Sequence, residues 1–165
     1  MKNYISQTST EKIITWICKQ IATLGPIGYL PAPGTMGTLC AIPLLVGLRK
    51  LESFIPFLDE GVIVALLVFL AVWIINKALV RFDETDPSHI ILDEVMGFFV
   101  VGLFMPLRPI MMVVGFVYFR FFDIFKPFSI DRLETIPGGW GIILDDIAAA
   151  LCARICMEFT LLLLF

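Results

Sequence analysis

The sequence predicts an all-α, polytopic helical integral membrane protein, with about four or five membrane helices and one carboxylate-rich site that faces the cytoplasm. Of its 165 residues, 59% are hydrophobic and only 16% are charged, and the mean hydropathy is +0.93. The apolar residues also come in long blocks separated by short charged islands. A soluble domain of this size needs polar side chains over its surface, so lipid is the expected solvent for most of this chain.

The N-terminal region, 1–24, is predicted to be an amphipathic lead-in helix. Its charged residues interrupt the apolar pattern, and it has no cleavage site of small residues, which argues against a signal peptide. No internal repeat divides the remainder, so residues 25–165 are predicted to form a single helical membrane domain. The four cysteines, at 18, 40, 152 and 156, lack C-x-x-C spacing and are interpreted as inert core thiols.

Glycine and proline punctuate the first part of this domain. Residues 25–37 contain four glycines and three prolines, which predicts a structured loop rather than a helix. A kinked or re-entrant membrane helix is predicted over 38–57, because its apolar run contains Pro43 and is too interrupted for a clean span. Residues 61–79 give the clearest transmembrane signal, close to the ~20 residues that a ~30 Å hydrocarbon core requires.

Charged residues mark one end of each remaining apolar block. Three further membrane helices are predicted: 90–107, 110–125 and 142–165. An acidic segment, 81–88, precedes the first of them in water, and a polar loop at 126–141 precedes the last. If the chain leaves the cytoplasm in the 38–57 helix and returns in 61–79, all these charged ends lie on one side, together with most of the Lys and Arg residues. The positive-inside rule therefore makes that side cytoplasmic.

Five carboxylates at these helix ends are the strongest chemical signal. They are Asp93, Glu94, Asp123, Asp145 and Asp146. A charged side chain inside a bilayer costs on the order of 2.5 to 3.5 kcal/mol, and carboxylates at one depth repel one another unless cations lie between them. Mg²⁺ prefers such hard oxygen ligands, whereas a single histidine makes zinc a poor competitor. The sequence predicts a catalytic role for all five and a Mg²⁺ site with four ligands: Asp93, Glu94, Asp145 and Asp146.

Two cations flank one of these carboxylates. Arg120, Asp123 and Lys126 recur at intervals of three residues, which places neighbours on one stripe of a helix. Arg grips phosphate with two hydrogen bonds and Lys adds a point charge, so both are predicted to bind phosphate. The Gly/Pro-rich loop adds a weaker prediction of anion binding, through backbone amides and the hydroxyls of Thr35 and Thr38.

Small residues favour a close approach of the helices that carry the carboxylates. Gly97 follows Asp93 by four residues and Ala150 follows Asp146 by four, so each carboxylate lies beside a small residue on its helix. Such contacts would let the 93–94 and 145–146 pairs face one another. A metal, two cations and a carboxylate that orients or deprotonates water are the parts that phosphoryl transfer requires.

Simpler interpretations of these charges stay open. The pairs at 93–94 and 145–146 are also typical of solvated helix caps, and Arg120 with Asp123 is typical of a structural ion pair. His89 is more simply an interfacial bystander than a proton shuttle. The acidic run at 83–86 is more simply a solvated loop than part of a site.

Four motifs are more specific than any single residue. They are P-A-P-G-T-M-G-T at 31–38, I-L-D-E-V-M-G at 91–97, F-R-F-F-D-I-F-K-P-F-S-I at 119–130 and P-G-G-W-G-I-I-L-D-D-I-A-A at 137–149. In this order they closely resemble bacterial phosphatidylglycerophosphatase A, over residues 20–155. The sequence departs from the pattern of that family at Ser129, where proline is usual, and at Ala150, where glycine is common.

The resemblance implies a Mg²⁺-dependent hydrolase of the bacterial inner membrane. Such an enzyme removes the terminal phosphate of phosphatidylglycerophosphate to give phosphatidylglycerol and inorganic phosphate. The acidic and basic motif residues of the family fall on the carboxylates and cations named above, with Gly34, Thr35 and Gly37 in the loop. A metal-activated water is favoured over a covalent intermediate, because the Cys and His phosphatase motifs are absent, although a phosphorylated Asp stays open.

Two other classes of protein compete with this interpretation. One is a small membrane transporter or channel that uses intramembrane carboxylates, and the other is a non-catalytic membrane scaffold. The carboxylates lie at span ends beside Arg and Lys, which suits anion binding better than cation passage. The net charge of −3 and the lack of a basic stripe argue against nucleic acid. The expected partners are therefore the lipid substrate and the bilayer, with no obligate protein partner.

Overall fold

The computed structural model describes residues 8–52, 54, 59–106 and 108–164. Within these ranges the chain forms helices and turns and no strand, so the all-α prediction is confirmed. The α-helices are α1 Ser9–Ala22, α2 Pro33–Glu52, α3 Glu60–Leu79, α4 Leu92–Gly102, α5 Pro109–Phe125 and α6 Gly139–Leu164. Two 3₁₀ segments precede α2 and α6: Ile27–Tyr29 and Pro127–Thr135. Parts of the predicted segments lie outside the described residues, namely 1–7, 53, 55–57, 107 and 165.

α1 contacts α3 and the residues immediately before α4. Thr8 and Glu11 form a capping box at its first turn, which satisfies two free N–H groups. Its buried face packs against α3. At its end, the carbonyl of Ala22 accepts a hydrogen bond from the backbone N–H of Ile91 at 3.0 Å, immediately before α4. The lead-in helix therefore contacts the strip of chain that carries the 93–94 pair.

α2 corrects the prediction for the Gly/Pro-rich segment. The loop expected over 25–37 ends early, because α2 begins at Pro33. Proline suits the first helical turn, where its missing N–H leaves no intrahelical bond unmade. A Cβ on Gly37 would lie only 3.0 Å from Ile91, so this glycine serves close packing against the chain before α4. The helix then continues through Pro43, and its low intrinsic propensity is offset by these contacts.

α4 is much shorter than the membrane span predicted over 90–107, and that prediction is wrong. Its 11 residues rise about 16 Å at ~1.5 Å each, roughly half of a ~30 Å hydrocarbon core. The helix ends at Gly102, and Phe104 has a left-handed backbone with φ 55°. α6 begins at Gly139, so the polar loop predicted over 126–141 is also too long.

Two arginines hold the C-terminal end of α4. Arg154 donates hydrogen bonds to the carbonyls of Val101 at 3.1 Å and Leu103 at 2.7 Å. Arg49 donates to the carbonyl of Gly102 at 2.7 Å. The last carbonyls of a helix have no partner within it, and positive charge is favourable beside them. These bonds to α2 and α6 explain why α4 stops where it does.

We expect Arg49→Met to lower the free energy of unfolding by about 3–5 kcal/mol. Arg49 pairs with Glu60 at 2.5 Å, and Glu60 also accepts a hydrogen bond from the Phe104 N–H at 2.9 Å. Glu60 is only 2% exposed, so removing Arg49 leaves a buried charge without its cation. Thermal melting in detergent measures the loss. The double variant Arg49→Met with Glu60→Met should lose less than the single one, and a larger loss in the double variant would contradict this explanation.

α4 lies at the centre of the helices. It packs against α2, α3, α5 and α6. Phe98 of α4 and Phe119 of α5 are fully buried, with ring centroids 6.2 Å apart. This central position brings the N-terminal turn of α4 beside the start of α2, the end of α5 and the second turn of α6.

The outer faces of two helices expose apolar side chains along their length. On α5 they are spaced by three or four positions: Ile110, Val113, Val117, Phe121 and Ile124. On α6 the same spacing recurs: Leu151, Ile155, Phe159 and Leu162. Continuous apolar surface of this extent is uncommon on soluble monomers. By length and composition, α3 is the one described helix that qualifies as a membrane span.

Candidate active site

The ends of four helices enclose a cavity of about 370 Å³. It lies between the first turns of α2 and α4, the last turn of α5 and the second turn of α6. Nine of the ten residues that the sequence identified as site candidates line it: Asp93, Glu94, Asp123, Asp145, Asp146, Arg120, Lys126, Gly34 and Thr35. Gly37 lies one turn further along α2, at the helix contact described above.

Three carboxylates from two helices converge in this cavity. One oxygen each from Asp93, Glu94 and Asp146 lie within 4.8 Å of one another. Asp93 and Asp146 are 9% and 3% exposed. Gly97 makes the approach possible, because a Cβ there would lie 3.2 Å from the backbone carbonyl oxygen of Asp146. Gly97 therefore lets α4 and α6 pack closely, as predicted from its position four residues after Asp93.

Four carboxylate oxygens of residues that line this cavity lack hydrogen-bond donors among the described residues. Asp93 Oδ1, Glu94 Oε2, Asp145 Oδ1 and Asp146 Oδ2 are buried, and none of them has a hydrogen-bond partner among the described residues. Buried carboxylates without a partner are strongly unfavourable unless a cation lies among them. All the available ligand atoms are hard oxygens, which Mg²⁺ prefers. The residues therefore fit a bound Mg²⁺.

Helix capping does not account for these acidic pairs. Asp145 and Asp146 lie in the second turn of α6, beyond the free N–H groups of its start. Asp93 and Glu94 do lie in the first turn of α4, but the N-cap residue is Ile91, and Asp93 is buried rather than solvated. The positive ends of α2 and α4 point toward the cavity, which favours both the carboxylates and a bound anion.

Arg120 brings hydrogen-bond donors to the cavity wall. Its Nη1 forms an ion pair with Asp123 Oδ2 at 2.5 Å, and neither Nε nor Nη1 has a hydrogen-bond acceptor among the described residues. A Cβ on Gly34 would lie 3.1 Å from the guanidinium and would overlap Glu94 Oε1. The glycine thus lets α2 close over both side chains. The predicted ion pair with Asp123 is therefore present, but the Nε–H group still has no acceptor among the described residues.

Lys126 is held between two carboxylates. It ends α5 in a left-handed conformation with φ 42° and pairs with Asp145 Oδ2 at 2.5 Å. It also pairs with Glu134. Burial alone would lower the pKa of Lys126, but the hydrogen bonds to Asp145 and Glu134 outweigh it and raise the pKa above its usual value. The ammonium therefore stays charged at any physiological pH.

Glu134 was not among the residues identified from the sequence. It reaches Lys126 because the chain reverses at Phe128 and Ser129, which both have φ 61°. Left-handed backbone at residues other than glycine has no clear sequence signature, so no local pattern could have indicated this pairing. Asn76 was also missed. Its side chain accepts a hydrogen bond from the Gly139 N–H at 2.9 Å and so fixes the start of α6.

The glycine-rich segment contributes differently from the prediction. Gly34 and Gly37 lie within α2 and serve close helix contacts, rather than a free loop around an anion. Thr35 lines the cavity. The hydroxyl of Thr38 is fully buried and donates to the Gly34 carbonyl at 2.9 Å, so it is occupied within the helix.

Two residues outside the helices complete the surroundings. His89 Nδ1 lies 3.1 Å from the Gly28 carbonyl, and its ring stacks on Tyr29 with centroids 4.5 Å apart, which agrees with a structural role. Asp86 belongs to the exposed acidic segment, as predicted, but it also lines the cavity.

Fold and site together define a helical protein whose buried carboxylates lie beside an arginine and a lysine, a composition that fits a metal ion and a phosphate group. The family model described as phosphatidylglycerophosphatase A matches residues 20–161. This chain therefore belongs to the phosphatidylglycerophosphatase A family, and it is a phosphatase.

Individual relatives agree with the family match. A phosphatidylglycerophosphatase A of Haemophilus influenzae Rd is 36% identical over 149 residues, 83% of this chain and 90% of the relative. That of Escherichia coli K12 is 32% identical over 129 residues, 77% and 73% of the two chains. A putative phosphatidylinositol-3-phosphatase of Bacteroides thetaiotaomicron is 34% identical over 127 residues, 74% and 79% of the two. No solved structure matches this chain.

Proposed function

We propose that this enzyme hydrolyses the terminal phosphate monoester of phosphatidylglycerophosphate, in the presence of Mg²⁺, to give phosphatidylglycerol and inorganic phosphate. The observation that carries the proposal is the group of buried carboxylate oxygens that have no hydrogen-bond partner among the described residues and that lie in one cavity with Arg120. The names of two relatives support the same substrate. The reaction belongs to phospholipid biosynthesis.

Each part of the site has a role in this reaction. The residues that would hold Mg²⁺ are Asp93, Glu94, Asp145 and Asp146. When bound, the ion supplies positive charge that offsets the charge of the phosphoryl oxygens and polarises water. Arg120 binds two phosphoryl oxygens through its free N–H groups, and Asp123 holds it in position. Lys126 adds a fixed charge between Asp145 and Glu134.

The substrate is a lipid, and the proposed location is the bacterial inner membrane with the site at its cytoplasmic surface. The apolar stripes of α5 and α6 would face acyl chains, and α3 would cross the bilayer. α4 is too short to cross alone, so it would reach only part of the way from the site. We therefore keep the total of four or five membrane segments, with α4 as a half-length one.

We also propose that the chain has two parts. Residues 25–165 would form one helical phosphatase domain, and 1–24 its lead-in. α1 contacts this domain through α3 and through the bond from Ile91 to Ala22, which supports a lead-in that is docked on the domain. The transporter alternative is weaker, because Arg120 and Lys126 stand beside the carboxylates and would repel a passing cation.

The test is phosphate release by detergent-purified protein with Mg²⁺, from three substrates: phosphatidylglycerophosphate, phosphatidylinositol 3-phosphate and glycerol 3-phosphate. We expect the highest kcat/KM for phosphatidylglycerophosphate and almost none for the soluble ester, which lacks acyl chains. Asp123→Asn, which frees Arg120, should be nearly inactive in the same preparation and so excludes a contaminating phosphatase.

Each other outcome has a definite meaning. No release from any lipid by folded wild-type protein would contradict the proposal. Faster release from phosphatidylinositol 3-phosphate would indicate that the preferred substrate is the one named for the Bacteroides relative. The proposed phosphatase site would then stay as described.

A further inference from the structure

A second cavity, of about 440 Å³, adjoins the site. Its walls come from the segment before α4, the end of the 3₁₀ segment and the start of α6. Two described residues, Asp86 and Ile142, line both this cavity and the one that holds the carboxylates. Asp86 is thus the one ionisable side chain at the boundary between the two cavities.

Hydrolysis of an alkyl phosphate is faster with a proton donor close to the leaving oxygen. When the phosphate ester breaks, its oxygen leaves as an alkoxide, which is a poor leaving group unless it is protonated. A positioned general acid typically contributes about 10²–10⁴-fold to the rate. The hydroxyls of Thr35 and Ser88 line the site cavity, but hydroxyl groups are weak acids.

The remaining groups of the site are already engaged. Arg120 does not give up its proton in proteins. The ion pairs of Lys126 raise its pKa, which makes it a poor proton donor. Asp145 pairs with Lys126 and Asp123 pairs with Arg120. Asp93, Glu94 and Asp146 form the cluster that, together with Asp145, would hold the metal. Asp86 is the acidic group left over.

The surroundings of Asp86 favour its protonated form. Partial burial raises the pKa of its carboxyl, and so does repulsion from Glu134 and Glu84, while Lys126 lowers it. The net pKa is raised above that of an ordinary aspartate. Asp86 also remains exposed to solvent at the rim, so water can return the proton after each turnover.

We propose that Asp86 is the general acid that protonates the leaving oxygen of the substrate, with the alcohol part of the headgroup in the second cavity. The proposal rests on the phosphatase function given above. The oxygen of water forms a bond to phosphorus and the ester P–O bond breaks, its electron pair staying on the ester oxygen. The carboxyl proton of Asp86 passes to that oxygen, and a carboxylate of the site takes the proton of the attacking water.

The test compares Asp86→Asn with wild-type protein on two substrates that differ in their leaving group. One is phosphatidylglycerophosphate, and the other is a nitrophenyl phosphate that carries an alkyl chain. The nitrophenolate leaves without a proton, so it needs no general acid. We expect Asp86→Asn to lower kcat by about 10²-fold or more on the lipid and by less than about 5-fold on the nitrophenyl ester.

Two further variants make the test specific. Asp131→Asn applies the same change to an exposed carboxylate that lines neither cavity, and it should leave both rates unchanged. Asp86→Glu keeps an acid and should recover part of the lipid rate. The retained nitrophenyl rate of Asp86→Asn shows in the same preparation that the variant is folded.

The possible failures are distinct. If wild-type protein releases no phosphate from the lipid, the proposed function fails and this inference fails with it. If the wild type is active and Asp86→Asn loses the same factor on both substrates, or loses nothing on the lipid, only the inference is overturned.

Discussion

Asp146→Asn is expected to lower the turnover of phosphatidylglycerophosphate by about 10³-fold. Asp146 is one of the three carboxylates of the cluster, and its Oδ2 is buried without a hydrogen-bond partner among the described residues. An amide has one oxygen and no charge, so a variant with asparagine loses much of its affinity for Mg²⁺. Phosphate release at saturating Mg²⁺ measures the effect.

The stability of the same variant separates a catalytic cluster from a structural one. Without metal, Asp93 and Glu94 repel Asp146, so removing one charge should leave the metal-free protein as stable as the wild type or more so. Asp131→Asn is the matched control and should change neither quantity. A large drop in melting temperature for Asp146→Asn, with turnover falling only in proportion to folded protein, would favour the scaffold alternative instead.

Gly34→Ala is expected to lower turnover by about 10²-fold while leaving the protein folded. The new methyl group would overlap Glu94 Oε1 and lie 3.1 Å from the Arg120 guanidinium. Both are the far ends of flexible side chains, so they can move aside at small cost to stability. Their displacement would nevertheless shift a proposed metal ligand and the phosphate-binding cation together, and misplacement by ~1 Å costs about 10²-fold.

Gly47→Ala is the control for this substitution. Gly47 lies in the same helix, is exposed, and has open space where its Cβ would be. Alanine there should keep full activity and gain up to about 1 kcal/mol in stability, because glycine is the poorer helix former. Equal kcat/KM values for the two variants would contradict the role given to Gly34.

The helices were predictable where local sequence decides the structure. The helix predicted at 61–79 is observed as Glu60–Leu79, and that at 110–125 as Pro109–Phe125, because continuous apolar residues and flanking polar ones mark both. The start of α2 was not predictable. Its glycines and prolines disfavour a helix locally, and contacts with Ile91 and Glu94 from a distant part of the chain offset that preference.

The length of α4 could not be predicted from the local sequence either. After Asp93 and Glu94, every residue from 95 to 105 is apolar or glycine, so the sequence predicts a full span. The helix stops because Arg49 and Arg154, which lie about 50 residues away on either side, bind its last carbonyls. Contacts over that sequence distance leave no periodic signal.

The grouping of the candidate residues in one cavity was predictable because charge within an apolar sequence is costly and therefore informative. This rule identifies Asp93, Asp146 and Arg120 as candidates, and the small residue Gly97 predicts that their helices approach closely. The partner of Lys126 does not, because Glu134 depends on two left-handed residues in the 3₁₀ segment. The place of Asp86 at a shared cavity wall likewise depends on the fold and not on its acidic neighbours.

The most direct test of the central claim is a titration of Mg²⁺ against turnover. Purified protein is stripped with EDTA, free Mg²⁺ is returned in steps, and phosphate release from phosphatidylglycerophosphate is followed for the wild type and for Asp146→Asn. We predict no turnover in EDTA, a saturable return in the wild type, and a response in the variant that is weaker and shifted to higher Mg²⁺. Full turnover in EDTA, or identical Mg²⁺ curves for the two proteins, would contradict the assignment of the buried carboxylates as the metal site.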